Sequence, residues 1–430
     1  MAEHGLRNIK TAFLCDCLGP YHYARASAAN RILVLTAIEF SSLDQTNIWD
    51  PFDDDGRCPK VTLFNDKPMN LQPGRLVMKR MQSVLNDLRP QVVVVSGWDS
   101  PASLTALWWC LCTKTPAVLM SESQEKDERR VWGKEMIKGR IVRLNSSGFV
   151  GGTPHVAYLK SLGMPEDRIF SGCDVVDNDY FFGGSEAARK DAPALRKKFF
   201  LPDSYFLASS RFVQKKNIFS ILYAYADYLR CSGENPWKLV LLGDGPLRSA
   251  IAGLREDLGL TDMVLMPGFK QYPELPIYYG LAGAFVHASN SEPWGLVVNE
   301  AMACGLPVVV SSRCGCAPDL VKDGRNGFTF DPYDIDALSR HLGYIASAEC
   351  PRDSMGEHSR MIISDWSPDV FAANLYEAVK AALKVSVPSP TAVDQGLLWW
   401  LIVRNNLHWK QMRLAMKKFL HLPLKERSEK

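Results

Sequence analysis

Two glutamates stand eight positions apart in the string E-P-W-G-L-V-V-N-E-A-M-A-C-G-L-P-V at residues 292–308. Gly295 predicts a helix start, directly after an apolar run at 284–288. The first N–H groups of such a helix, near Leu296 and Val297, lack partners within it. With the helix dipole they can hold a phosphate. Glu300 falls about one and a half turns further on, where a carboxylate can accept hydrogen bonds from two vicinal hydroxyls, as on a ribose. Glu292 precedes the helix and can meet a sugar. Arg211 and Lys216 follow another apolar run at 206–209, so both cations can reach a ligand at the carboxyl end of a strand. Lys215 is the lesser candidate. Gly243 and Gly245 in L-G-D-G-P lack side chains and allow close approach of a ligand.

Short apolar runs must position these groups. In the first half they lie at 12–18, 91–96, 117–120 and 148–150. In the second they lie at 206–209, 239–242, 263–266, 284–288 and 308–311. Runs of this length, flanked by turn signals and separated by helix-sized spacers, predict βαβ units and parallel sheets. Two such series predict an α/β chain of two doubly wound, Rossmann-like domains facing a central cleft, as does the length of 430 residues. The expected division lies near 177–201, with a first domain over 1–185 and a second over 200–364. A helix over 365–384, capped by Ser367 with Pro368 at its first position, is expected to cross back to the first domain. A basic amphipathic tail follows over 391–430.

The 292–308 string resembles the signature of the retaining GT-B glycosyltransferases of family 4. Further matches follow in the family's order. The stretch from Arg211 to Lys216 resembles the one in which an Arg and a Lys bind the donor diphosphate. The glycines at 243 and 245 resemble the G-x-G-P loop. Gly268 and Phe269 match the segment whose backbone lies against the base. Residues 312–321 and 323–328 resemble G-G-x-x-E-x-V and D-G-x-x-G, with Cys316 in place of the second glycine and Asp319 in place of the glutamate.

The match is thinner in the first half. Gly19 stands where the family has a glycine pair near the donor phosphates, and Pro20 takes the second place. The family's histidine after a middle strand is missing, and the segment there reads Met120-Ser121-Glu122-Ser123. His22, Trp98, Asp99, Glu122 and His155 all follow predicted strands and are the acceptor-side candidates. A structural role is the alternative for His22, a packed aromatic for Trp98 and a solvated charge for Asp99. Asp127, Arg129 and Arg130 form a further charged loop.

The resemblance implies transfer of a sugar from a UDP- or GDP-sugar to a glycan or lipid-linked acceptor, with retention. Arg211, Lys216 and the N–H groups at Gly295–Val297 would stabilise the leaving diphosphate. Glu292 would orient the sugar and Glu300 the ribose. A phosphate oxygen can take the acceptor proton. No D-x-D stands in a suitable loop, since Asp53–Asp55 lies far from these motifs, so neither a metal nor another cofactor is expected. Two other classes share this layout: nucleotide-sugar 2-epimerases and non-catalytic sugar-nucleotide-binding proteins.

The net charge of +3 argues against a general nucleic-acid binder. The eleven cysteines form no C-x-x-C pair and are expected as reduced packing residues. No signal peptide and no run of 18 apolar residues is visible, so a cytoplasmic location is expected. From Gln395 onward, eight basic residues face two acidic ones, interleaved with Trp399, Trp400, Trp409, Met412, Met416 and Phe419. This pattern suits a helix on the anionic inner face of a membrane, or one packed on the first domain.

Overall fold

A computed structural model describes residues 8–42 and 56–404. The chain builds two parallel sheets in succession. The first half runs β1 (Lys10–Cys15), α1 (Pro20–Asn30), β2 (Val34–Ser41), β3 (Lys60–Phe64), α2 (Gly74–Leu88), β4 (Val92–Ser96) and α3 (Pro101–Thr113). It continues through β5 (Ala117–Ser121), α4 (Trp132–Arg143), β6 (Ser147–Val150), α5 (Thr153–Ser161) and β7 (Ile169–Ser171). Two helices follow, α6 (Asn178–Lys190) and α7 (Ala192–Phe199).

The second half runs β8 (Tyr205–Ser209), α8 (Ile218–Cys231), β9 (Lys238–Leu242), α9 (Arg248–Asp257), β10 (Val264–Gly268), α10 (Leu275–Gly280) and β11 (Ala284–His287). Then come α11 (Leu296–Ala303), β12 (Val308–Ser311), α12 (Ala317–Leu320), β13 (Gly327–Phe330), α13 (Ile335–Ala346) and α14 (Arg352–Ser364). The described chain closes with α15 (Pro368–Lys384) and α16 (Ala392–Arg404).

The strand orders are β3-β2-β1-β4-β5-β6-β7 and β10-β9-β8-β11-β12-β13. In each sheet the order reverses beside the strand that comes first in the chain, as in a doubly wound fold. All nine apolar runs are strands, for a physical reason. Inner strands are buried on both faces and so read as continuous runs, such as the four consecutive valines of β4.

Four strands escaped the sequence reading: β2, β3, β7 and β13. Glu39 interrupts β2, yet it is buried, accepting from the Leu18 N–H at 2.7 Å and the Thr62 hydroxyl at 2.8 Å. β3, β7 and β13 are edge strands with half-buried residues. β13 opens on Gly327, where a Cβ would come within 1.8 Å of the Val308 carbonyl oxygen.

The stretch 177–201, expected as a divide, is helical. α6 packs on α10 and α11 of the second half. α15 returns to the first sheet. Its Ser367 accepts from the Val370 N–H at 3.3 Å, and its Phe371 ring meets Phe13 and Phe149 at 6.2 and 5.1 Å.

α16 begins at Ala392, earlier than the tail pattern indicated. It lies on α2 and α3 of the first half with Leu398, Leu401 and Ile402 buried, and Asp394 pairs with Arg140 at 2.8 Å. Trp399 and Trp400 face outward. The rest of the tail, including Trp409, Met412, Met416 and Phe419, lies outside the described residues, as does Asp53–Asp55. Among the described residues no helix is long and apolar enough to cross a membrane. All eleven cysteines are free.

Candidate functional site

Ligands of doubly wound sheets bind outside the carboxyl ends of the strands, where the order reverses. In the second sheet that point lies between β8 and β11. Arg211 and Lys216 follow β8; Glu292 and Gly295 follow β11. In the first sheet it lies between β1 and β4, followed by Gly19 and by Trp98 and Asp99. The fold thus brings the sequence candidates of each half to one place.

Glu292 anchors the second point. Its Oε2 takes an ion pair from Lys216, a hydrogen bond from the Ser289 hydroxyl at 3.0 Å, and lies 3.3 Å from His287 Nε2. Burial opposes ionisation here, but hydrogen bonding to His287 and the charge of Lys216 win, holding this carboxyl far below its usual range. Burial also lowers the affinity of His287 for a proton. Glu292 is therefore an anion and His287 a neutral ring at pH 7. Lys216 is carried by a one-turn helix, Gln214–Lys216, that ends at Asn217 with φ of +54°. Asn217 is fixed in turn by a bond to the Pro332 carbonyl at 2.9 Å. Arg211, in the same β8–α8 loop as Lys216, is exposed.

Gly295, with φ of +112°, stands at the N-cap of α11, a conformation that disfavours any side chain. Glu300 follows inside α11 and is sealed, at 2% exposure. It accepts from the Tyr21 hydroxyl at 2.6 Å. Burial pushes its carboxyl up to about 7, against the pull of the Tyr21 and Tyr279 hydroxyls. A carboxyl raised by folding gives a definite sign. Stability is highest below the unfolded value of about 4.5 and is lost as pH rises toward 7, because the unfolded chain ionises first. Glu300→Gln removes that loss. Its Tm is expected to gain on the wild type between pH 5 and pH 8, by the equivalent of up to about 3 kcal/mol. Thermal melts across that range check the sign; a constant difference contradicts it.

The segment at 291–294 is bolted to the first half. Gln124 Nε2 donates to the Glu292 carbonyl at 2.9 Å, and the Ser291 hydroxyl donates to the Asp127 carbonyl at 2.9 Å. His155, an acceptor-side candidate, is fully buried and spans the two halves. Its Nδ1 accepts from the Gly152 N–H at 3.0 Å, and its Nε2 lies 2.9 Å from the Pro293 carbonyl oxygen. It acts here as a fastening, not as a group in open space.

Asp319 accepts from the Thr153 N–H at 2.8 Å and from its hydroxyl. A carboxylate at the first turn of α5 also meets the positive end of the helix dipole. Gly152 is required by the same approach, since a Cβ there would sit 2.1 Å from Asp319 Oδ2.

The remaining candidates scatter. Gly243 has φ of +127°, and a Cβ there would lie 1.8 Å from the Ser210 carbonyl oxygen. The neighbour that demands glycine is thus the loop carrying Arg211. Gly268 ends β10 with φ of +87°, and Phe269 is exposed beside it. Gly19 caps α1 with ordinary backbone angles, and His22 is half-buried. Trp98 packs on Tyr158 at 6.4 Å, a contact that fits its packing alternative, and Asp99 is exposed.

Glu122 is exposed but faces the buried Asp174. Burial and the Glu122 carboxylate push Asp174 well above the usual range, against Arg25 at 3.7 Å. Tyr21, Gln124, Asp174, His287 and Ser289 were not singled out as site residues from sequence. His287 and Ser289 flank the E-P-W string and were within reach of such a reading. The others have partners far away in the chain.

Residues 191–361 match the family model described as glycosyl transferases group 1. An α-monoglucosyldiacylglycerol synthase of Streptococcus pneumoniae is 35% identical over 130 residues, 30% of this chain and 29% of that protein. A GDP-mannose-dependent α-(1-6)-phosphatidylinositol monomannoside mannosyltransferase of Mycolicibacterium smegmatis is 28% identical over 211 residues, 47% of this chain and 53% of that protein. The chain therefore spans about half the length or less of these curated relatives.

Among solved structures, Anabaena Alr3699/HepE in complex with UDP and glucose superposes with a TM-score of 0.68 at 17% identity, covering 87% of this chain and 100% of that one. A sucrose-phosphate synthase from Thermosynechococcus elongatus gives 0.67 at 18% identity, covering 86% and 97%. The fold is GT-B, and residues 191–361 match the glycosyl transferases group 1 family.

Proposed function

We propose that this chain transfers a glycosyl group from a UDP- or GDP-sugar to a hydroxyl of a glycan or lipid-linked acceptor, with retention at the anomeric carbon and without a metal. The observation that carries this reading is the Lys216–Glu292 ion pair, set beside the N-terminus of α11 where the second sheet reverses its order. In the proposed reaction the bond from the anomeric carbon to the diphosphate oxygen breaks through an oxocarbenium-like state. The acceptor oxygen bonds to that carbon on the same face, and its proton passes to a diphosphate oxygen. Lys216, Arg211 and the N–H groups at the start of α11 meet the charge that grows on the diphosphate. Glu292, kept anionic by its partners, orients the sugar.

Incubation with UDP- and GDP-sugars and a panel of glycan and lipid-linked hydroxyl acceptors tests the reading. Acceptor-dependent nucleotide release supports transfer. Isomerised donor would favour an epimerase, and binding without turnover a non-catalytic protein. The basic tail supports a further point: peripheral contact with anionic lipid, through residues 405–430, which bring a lipid-linked acceptor within reach. Sedimentation with anionic vesicles, with and without those residues, reads this out. Recovery of both forms in equal amounts would exclude it.

A further inference from the structure

We propose that Tyr21 is a positioning residue that holds the donor site shut, its hydroxyl taking the Glu300 oxygen that a donor ribose would need. The proposal rests on the reading of Glu300 as the ribose acceptor. Tyr21 belongs to the first half, at the start of α1, directly after the Gly19 loop. Glu300 belongs to the second. Their 2.6 Å hydrogen bond joins the two reversal points across the cleft.

A phenol hydroxyl and a ribose hydroxyl offer a carboxylate the same chemistry: one O–H donor each. With the carboxyl only 2% exposed, there is room at that oxygen for only one of them. The ring sits edge-on to Tyr272 of the second half at 5.6 Å, and Tyr272 lies flat on Tyr180 of α6 at 4.6 Å. With Tyr21 in place Glu300 is 2% exposed, so no ligand reaches it unless the tip of α1 withdraws. The bonds from Gln124 and His155 to the 292–293 segment and from Thr153 to Asp319 do not involve Tyr21. The halves can stay fastened while this one contact opens. Donor entry then replaces a bond between the halves with a bond to the ligand. The measured affinity is reduced by the fraction of molecules with the latch open.

Tyr21→Phe keeps the ring and its stack and removes only the hydroxyl. Calorimetric titration with UDP and with GDP is expected to show binding about tenfold tighter than the wild type for the preferred nucleotide, since a hydrogen bond to a charged group is worth about that factor. In a Glu300→Gln background, which itself weakens binding, the same change is expected to gain less. A merely structural role would lower Tm without raising affinity. Equal or weaker binding by Tyr21→Phe, with nucleotide still bound by the wild type, overturns the latch alone. Absence of binding in both proteins overturns the latch together with the donor site.

Discussion

Lys216→Ala is expected to lower kcat/KM for the donor by about a thousandfold, with a fall in Tm of a few degrees as the buried Glu292 loses its partner. Removing one preorganised charge donor from a developing anion costs roughly 10²- to 10³-fold in rate. Lys216 also holds the anionic state of Glu292, so its loss acts twice. The carboxylate would be left with Ser289 and a neutral His287, and its affinity for a proton would rise. Besides the N–H groups of α11, the diphosphate would keep Arg211 as its one proposed side-chain cation, and that residue is exposed and therefore screened by water. Lys216→Arg is expected to recover part of the rate, because it restores charge in a different shape. Steady-state assays with both variants, alongside thermal melts, check the split between chemistry and folding. An alanine variant with wild-type turnover would remove Lys216 from the site.

Gly315→Ala is expected to uncouple the donor segment from its anchors. A Cβ at this position would stand 1.7 Å from the Pro293 carbonyl oxygen and 2.8 Å from the His155 ring. That same carbonyl faces His155, and the Gly315 N–H donates to the Glu292 carbonyl at 3.0 Å. Backbone, not a flexible side-chain end, must move, carrying Glu292 with it. Overpacking of this kind costs about 1–3 kcal/mol or more, so Tm should fall by several degrees and nucleotide binding should be lost. Gly253→Ala in α9 is the control. Its Cβ meets nothing within 4 Å, and alanine in a helix should raise stability by about 0.5–1 kcal/mol. Melting and titration of both variants check the contrast; equal behaviour would contradict it.

The candidates of the second half were legible because they lie in short strings. Glu292, Gly295 and Glu300 occupy one strand–turn–helix unit, and Arg211 and Lys216 occupy another. Local spacing places such groups before any tertiary packing is known. The first half was harder because its contacts are made across the cleft. Tyr21 and Glu300 are 279 positions apart, and a tyrosine near a helix start reads as core until the two sheets face each other. His155 was seen to follow a strand, but its burial against Pro293 depends on the same docking. Asp319, noted as a departure from the family's glutamate, finds its partner at Thr153 of the other half. The edge strands β3, β7 and β13 were missed because their half-buried residues make no continuous apolar run, whereas the edge strand β10 keeps a short one at 263–266.

Crystals grown with UDP or GDP offer the most direct measurement. Pyrophosphate density between Arg211 and Lys216, against the N–H groups of Leu296 and Val297, is the expected result. Nucleotide density seated anywhere else on the chain would contradict it.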